Sequence, residues 1–417
     1  VTASCGQTQG ALTPAMRKPP CSGRILATFL TAAVASTACG GHSLYLRPGV
    51  NPGCAECTAG PTRLDTRVLL VGDAGDLEPD NPSLALLTEL AAGAQGRSLV
   101  IYLGDNIYPR GLPATSEAGL GNERAMAESI LLLQVAAASG AGIPAVFVAG
   151  NHDWDKSGVR GLQRLQAQEA FLAGVQAADA VLYPSAGCPG PVVLDVGERV
   201  RLIAVDSEWL LRDKHPKLTD CSWGAPQAME PLPSTDPDGF YAALAEAVRG
   251  AGDRRVLLAT HHPLKTHGSH GGYFTLKELI FPLTLVNSWL YLPVPLIYPA
   301  LRYWIVRSDQ DLYGSRNREM VRRIEEILAT ANTAAIVASG HEHTLQVFDD
   351  PDLPIWYLVS GAAAKLEPTG KTDDTIFKHA ARGVMAVDFF TDGRVSVRVI
   401  EVDETGSRQV FAFWLAE

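Results

Sequence analysis

Five short motifs carry the residues whose types and spacing could do chemistry. They are Gly72-Asp73-Ala74-Gly75, Gly104-Asp105-Asn106-Ile107-Tyr108, Gly150-Asn151-His152-Asp153, Ala259-Thr260-His261 and Gly340-His341-Glu342-His343. Together they offer carboxylate, amide oxygen and imidazole donors. That mixture suits Fe, Mn or Zn, rather than Ca or a thiolate-bound ion. A lone Gly-Asp or His-x-His means little, but five such motifs in order, from Asp73 to His343, form a pattern. No Ser or Cys nucleophile motif and no glycine-rich phosphate loop stands out. These residue types therefore indicate a bound metal.

The elements that must position these residues are legible just upstream of them. The β-branched, uniformly apolar runs Val68–Val71, Leu99–Leu103, Ala145–Val148, Val256–Ala259 and Ala335–Ala338 lead directly into Asp73, Asp105, Asn151, His261 and His341. Further runs lie at Val200–Val205 and Ile355–Val359. Helix-like stretches separate several of them: Ser83–Ala94, Asn122–Ser139, Gln163–Ala178, Phe240–Arg249 and Arg318–Ala331. Apolar strands alternating with helices predict a layered α/β fold with strands covered on both faces. In such folds, ligand-binding loops gather at the carboxyl ends of strands, where all five motifs fall. Near the end, Val384–Phe390 and Val395–Val402 flank Thr391-Asp392-Gly393, which predicts a hairpin.

Over about residues 67–400 this ordered set resembles the calcineurin-like metallophosphoesterases, and among them the purple acid phosphatases. Leu103–Tyr108, Gly150–Asp153 and Gly340–Gln346 carry most of the likeness. The broad family has Asp-x-His in its first motif; here Gly75 stands in the histidine's place. Tyr108 follows Asp105 by three residues, where the purple enzymes supply a tyrosinate. The resemblance implies a layered metallophosphoesterase sandwich, two central mixed β-sheets flanked by helices, in the short, tartrate-resistant form. It implies that Asp73, Tyr108 and His343 hold one metal, that Asn151, His261 and His341 hold the other, and that Asp105 bridges them. The cofactor would be Fe(III) with a divalent Fe, Zn or Mn, and the reaction hydrolysis of phosphate monoesters by a metal-bound hydroxide. His152 and His270 would be catalytic on the substrate side. His262 and His267 are weaker candidates for substrate contact. Asp153 would orient His152 or cap a helix, and Asp206 and Ser207 would be structural. Phosphodiesterase activity on the same scaffold is the alternative, and a non-catalytic surface lipoprotein a third reading. Loops such as Pro109–Gly121 and Leu210–Asp238 would set specificity.

The net charge of -10 repels phosphate backbones at long range, which argues against nucleic acid as a partner and leaves a small phosphorylated substrate. Hydrophobic residues make up 47% of the chain, enough for a large core. Residues 1–38 read as an export signal whose true start could be Met16. Arg17, Lys18 and Arg24 precede the uncharged Ile25–Ala38, and Cys39 follows at the cleavage point. This resembles a bacterial lipoprotein signal and predicts a lipid-anchored protein in the periplasm or on the outer surface. Residues 39–66 read as a tether and 67–417 as the catalytic domain. Cys54-x-x-Cys57 reads as a small disulfide or an inert pair, and Cys188 and Cys221 as a plausible disulfide. The nearly uncharged segment 279–306 contains Trp289, Tyr291, Tyr298, Tyr303 and Trp304 and is broken by four prolines. It reads as an insertion folded as helical pieces on the core or a partner chain, or lying at a membrane interface, with a spanning hairpin as the third reading.

Overall fold

The computed structural model describes residues 41–51, 53, 63–79, 81–94, 97–175, 179–216, 218, 221, 236–285, 289–294 and 308–416. The expected export signal, Cys39, the Cys54/Cys57 pair and parts of segment 279–306 lie outside the described residues. The elements run in the order β1 (Tyr45–Leu46), β2 (Leu64–Val71), α1 (Pro82–Ala92), β3 (Arg97–Tyr102), α2 (Gly121–Gly140), β4 (Ala145–Phe147), α3 (Gly161–Gly174), β5 (Ala180–Leu182), β6 (Val192–Val196), β7 (Val200–Ala204), α4 (Ser207–Leu211) and α5 (Pro237–Arg249). They continue with β8 (Arg255–Ala259), α6 (Leu276–Ile280), α7 (Ser315–Leu328), β9 (Ala335–Ser339), β10 (Leu345–Phe348), β11 (Ile355–Ser360), β12 (Thr375–His379), β13 (Gly383–Phe390), β14 (Val395–Asp403) and β15 (Gly406–Ala416).

The strands form two mixed sheets, ordered β1-β12-β10-β11-β9-β8-β7-β6 and β15-β14-β13-β2-β3-β4-β5. Strands β2 to β5 pair in parallel, as do β7, β8, β9 and β11. Alternate residues of each strand face opposite ways. Val68 and Leu70 of β2 meet Leu257, Ile336 and Leu358 in the layer between the sheets. Leu69 and Val71 instead face the outer layer with Leu86, Leu131 and Leu165. The Val68–Val71 run of β2 is thus apolar on both faces, and burying each Leu or Val stabilises by roughly 1.5–3 kcal/mol. On the other outer face α5 and α7 cover their sheet with Phe240, Leu244, Met320 and Ile324, all buried.

The amino-terminal stretch differs from the tether reading. Tyr45–Leu46 pairs with β12, and Arg47 forms a two-pronged ion pair with Asp349 at 2.5 and 2.7 Å. The first long strand, β2, begins at Leu64. Cys188 and Cys221 are joined as a disulfide. No described helix is long and apolar enough to cross a membrane.

Candidate metal centre

Strands β2, β3 and β4 of one sheet and β8 and β9 of the other deliver their following loops to one crevice. The chain is forced there: Asp73, Asp105 and His341 have φ of 59, 52 and 68°, in the left-handed region. Such backbone costs of order 1–3 kcal/mol per residue and persists only where surrounding bonds impose it. Here the Asp73 N–H donates to Gly104 O at 3.1 Å and the His341 N–H to Asp73 Oδ2 at 2.8 Å. The His152 N–H donates to Asp105 Oδ1 at 2.9 Å.

Donor atoms converge in two linked groups. Tyr108 Oη lies 3.0 Å from Asp73 Oδ1 and 3.0 Å from His343 Nε2. His261 Nε2 lies 3.1 Å from Asn151 Oδ1 and 3.1 Å from His341 Nδ1. Asp105 Oδ1, 3.4 Å from His261 Nε2, joins the groups, and donor atoms of Asp73, Asp105 and His261 all lie within 4.8 Å of one another. The seven residues predicted from sequence as ligands are therefore brought together. Asp73 and Asp105 are 0% and 2% exposed. Among the described residues no Lys or Arg pairs with either carboxylate. Buried charge of that kind needs a compensating cation, so the donor set fits a pair of metal ions. His261 turns Nδ1 to Leu103 O at 2.8 Å, which leaves Nε2 aimed into the site, as metal-binding histidines are usually held. Glu367 Oε1 stands 3.2 Å from His343 Nδ1 and does the same there.

The electrostatics agree. Burial and then the neighbouring Asp105 and Asp73 carboxylates push the Tyr108 phenol well above its ordinary range, so it gives up its proton only to a strong cation. Burial pushes Asp105 up as well, but the His261 and His152 imidazoles and the His152 N–H outweigh it and hold the group low. Burial works against a charged His343, yet Asp73 and Glu367 lift it to about 10.

His152 and His270 occupy the opening of the crevice, with side chains 19% and 23% exposed against 0% for His261. His152 Nδ1 meets Pro109 O at 2.7 Å, and its Nε2 stands 3.8 Å from Asp105 Oδ2. His270 Nδ1 is held by the fully buried Asp311 at 2.8 Å, and its ring centroid lies 4.0 Å from that of His341. Two imidazoles of this kind can hold phosphate oxygens or pass a proton to a leaving group.

Residues 66–345 match the calcineurin-like phosphoesterase family. The chain belongs to that family. As a calcineurin-like phosphoesterase it is a metal-dependent hydrolase of phosphoesters. Among curated proteins no significant match was found. Among solved structures, GAP50, the anchor in the inner membrane complex of Plasmodium, is 12% identical, with a TM-score of 0.48 over 84% of this chain and 89% of that one. The purple acid phosphatase PPD1 from yellow lupin (Lupinus luteus) seeds is 12% identical, with a TM-score of 0.49 over 86% of this chain and 54% of that one. The chain thus spans about half the length of the lupin enzyme.

Three expectations about this phosphoesterase need correction. His262 is fully buried behind His261: its Nδ1 lies 2.9 Å from Ser207 Oγ, and no face is left for substrate. One of its donor atoms does lie within 4.8 Å of those of His261 and His341. His267 turns its Nε2 to Asp374, 2.8 Å away, and to Thr372, and so ties down the 372–374 loop instead of meeting substrate. Asp153 neither orients His152 nor caps a helix. Its carboxylate accepts from the N–H groups of Asn106, Ile107 and Gly150 at 2.8–3.2 Å and fastens two ligand loops to each other. Burial, with Asp105 nearby, pushes Asp153 up to about 7. Asp206 is structural as expected: it accepts from Trp209 N at 2.9 Å and Trp154 Nε1 at 2.7 Å.

Supporting residues that sequence reasoning missed are Asp311, Glu367, Glu342 and Lys365. Glu342 accepts from the Ser269 and His270 N–H groups at 3.1 and 2.8 Å and so sets the His270 loop. Its place inside Gly340-His341-Glu342-His343 was the available signal. Lys365 Nζ stands 3.5 Å over the Tyr108 ring, and nothing in its local sequence marks it.

Proposed function

We propose that this phosphoesterase hydrolyses phosphate monoesters at an Fe(III)–M(II) pair of the purple acid phosphatase kind, M being Fe, Zn or Mn. The observation that supports this is the packing of Gly75. A Cβ there would lie 2.6 Å from Asp105 O, 2.6 Å from Ile107 N and 2.7 Å from Tyr108 N. The position that carries a histidine in the broad family has no room for a side chain here. Tyr108 instead brings its phenol to Asp73 and His343, both 3.0 Å away. A phenolate is a hard anionic donor suited to Fe(III).

When bound, the two ions would supply positive charge for the phosphoryl oxygens and acidify water. The chain's residues supply the rest. The buried Asp73 and Asp105 offset the ions' charge. His152 Nε2 and His270, held by Pro109 O and Asp311, face the substrate side and orient phosphate oxygens. His270 is the group placed to protonate the departing alkoxide, a contribution of roughly 10²–10⁴-fold in general.

The test is metal analysis with a visible spectrum, together with rates on chromogenic mono- and diesters. The oxidised protein is expected to be purple or pink, to contain iron, and to cleave monoesters faster. Tyr108→Phe should bleach it. A colourless, iron-free protein fully active with zinc or manganese alone would defeat the purple assignment.

A further inference from the structure

The described part of segment 279–306 is not folded away. Trp289 is 89% exposed, Leu290 46%, Tyr291 57% and Leu292 57%. Other large exposed apolar residues, such as Met126 and Val159, stand singly among the described residues, whereas these four are consecutive. Single exposed apolar side chains are ordinary; contiguous ones mark a contact surface. The pose is built. The Val294 N–H donates to Ile280 O at 3.0 Å. The Tyr291 ring lies 5.5 Å from that of Phe281, and Lys277 Nζ is 5.4 Å from the Tyr291 ring centroid. α6 itself is fixed by a capping box between Thr275 and Glu278. Trp and Tyr present an apolar body and a polar edge, the combination suited to the boundary between water and lipid.

The start of the described chain points to the occupant. Gly41 O accepts from Thr369 N at 2.9 Å and Lys378 Nζ at 3.3 Å. A Cβ on Gly41 would stand 3.0 Å from Tyr273 Oη. Tyr273 lies two residues before Thr275, the cap of α6. The chain therefore joins the domain beside Tyr273, just ahead of the α6 helix on which Tyr291 packs. Cys39, the expected lipid-bearing residue, precedes Gly41 by two residues, a reach of about 7 Å at most. An anchor there would hold this face, rather than the opposite one, against a bilayer.

We propose that Trp289–Leu292 inserts into the interfacial layer of a lipid bilayer, as a second membrane contact beside Cys39. It rests on apolar burial, not on attraction to anionic lipid, because the chain carries a net charge of -10. Insertion should therefore occur on zwitterionic phosphatidylcholine and resist salt.

The experiment reconstitutes the full chain with phosphatidylcholine vesicles brominated near the headgroup end of the acyl chain, at low and high salt. Tryptophan quenching is read in wild type and in Trp289→Phe. Residues 1–38 contain no Trp, so an apolar leader cannot supply the signal. Quenching at both salts that drops about twofold or more in Trp289→Phe supports the proposal. Absent quenching, equal quenching in the variant, or quenching only with anionic lipid at low salt overturns it. So does a disulfide-linked dimer of Leu290→Cys without lipid quenching, which would make the patch a contact between copies. Hydrolysis of a soluble monoester, measured on the same samples, should be unchanged in both variants. A lost phosphatase reading and a lost membrane contact are thus told apart.

Discussion

Replacing Gly75 with Ala should damage the centre although position 75 contributes no donor. The added methyl would meet three backbone atoms of the 105–108 loop at 2.6–2.7 Å, where ordinary contact begins at 3.4 Å. Backbone cannot rotate aside, so the loop must retreat by about 0.8 Å, or the methyl remains under compression. Overpacking of this kind costs about 1–3 kcal/mol, which for a chain of this size lowers Tm by a few degrees. The larger effect is positional. The displaced loop carries both Asp105 and Tyr108 and is stitched to the first motif by the Tyr108 N–H on Gly75 O at 3.1 Å. Misplacement of reacting groups by about 1 Å costs on the order of 10²-fold, so turnover should fall about tenfold to a hundredfold. Iron content and the visible band should fall with it. The assay is metal stoichiometry, absorbance, Tm and monoester kinetics on Gly75→Ala, Tyr108→Phe and the double variant. If Gly75→Ala acts by moving Tyr108, the double variant should cost little more than the worse single one. Gly140→Ala, where an added Cβ meets nothing within 4 Å, is the control and should be neutral or slightly stabilising. A Gly75→Ala protein with full iron, colour and turnover would refute the link between the absent histidine and the Tyr108 donor.

The histidines should fail in two ways. His261→Ala should lose metal with activity, whereas His270→Ala and Asp311→Asn should keep metal and lose turnover, most on esters with poor leaving groups; metal loss in His270→Ala would contradict its role. Glu117 clamps the loop before α2 to α3 through Arg164 at 2.8 Å and Arg160 at 2.8 Å. Burial works against its charge, but the Arg164, Ala114 and Arg160 hydrogen bonds outweigh that and hold it at about 2, below the ordinary 4.5. A depressed carboxylate stabilises above its unfolded pKa, and that share is lost as pH falls from about 4.5 to about 2, here about 1–2 kcal/mol after allowance for solvent around the half-exposed Arg160. Denaturant midpoints at pH 7 and pH 3 should therefore differ less in Glu117→Gln than in wild type, and equal differences would remove the clamp.

Much of the centre was open to sequence reading because its causes are local. A run covered on both faces must be apolar, so the carboxyl-end runs of β2, β3, β4, β8 and β9 stood out, and the polar residue that follows each had to lie on a carboxyl-end loop. Donor type is fixed by residue type, which pointed to Fe, Mn or Zn, whereas the seven expected ligands came from the family resemblance. Weakly patterned strands did not show. β15 begins Gly406-Ser407-Arg408-Gln409, exposed residues at a sheet edge, and two-residue β1 exists only because β12 offers an edge to it. What the fold alone decided was direction. Strands from two sheets share the crevice, and the bonds that fix its geometry join residues far apart in the chain, such as the His341 N–H on Asp73, 268 residues away, or Asp311 on His270. A histidine's spacing from a ligand does not say which way its ring turns. His262 and His267 lie near His261 in the chain as His270 does, yet Ser207 holds one in the core, Asp374 holds another, and only His270, with Glu342 under its backbone, lies against His341.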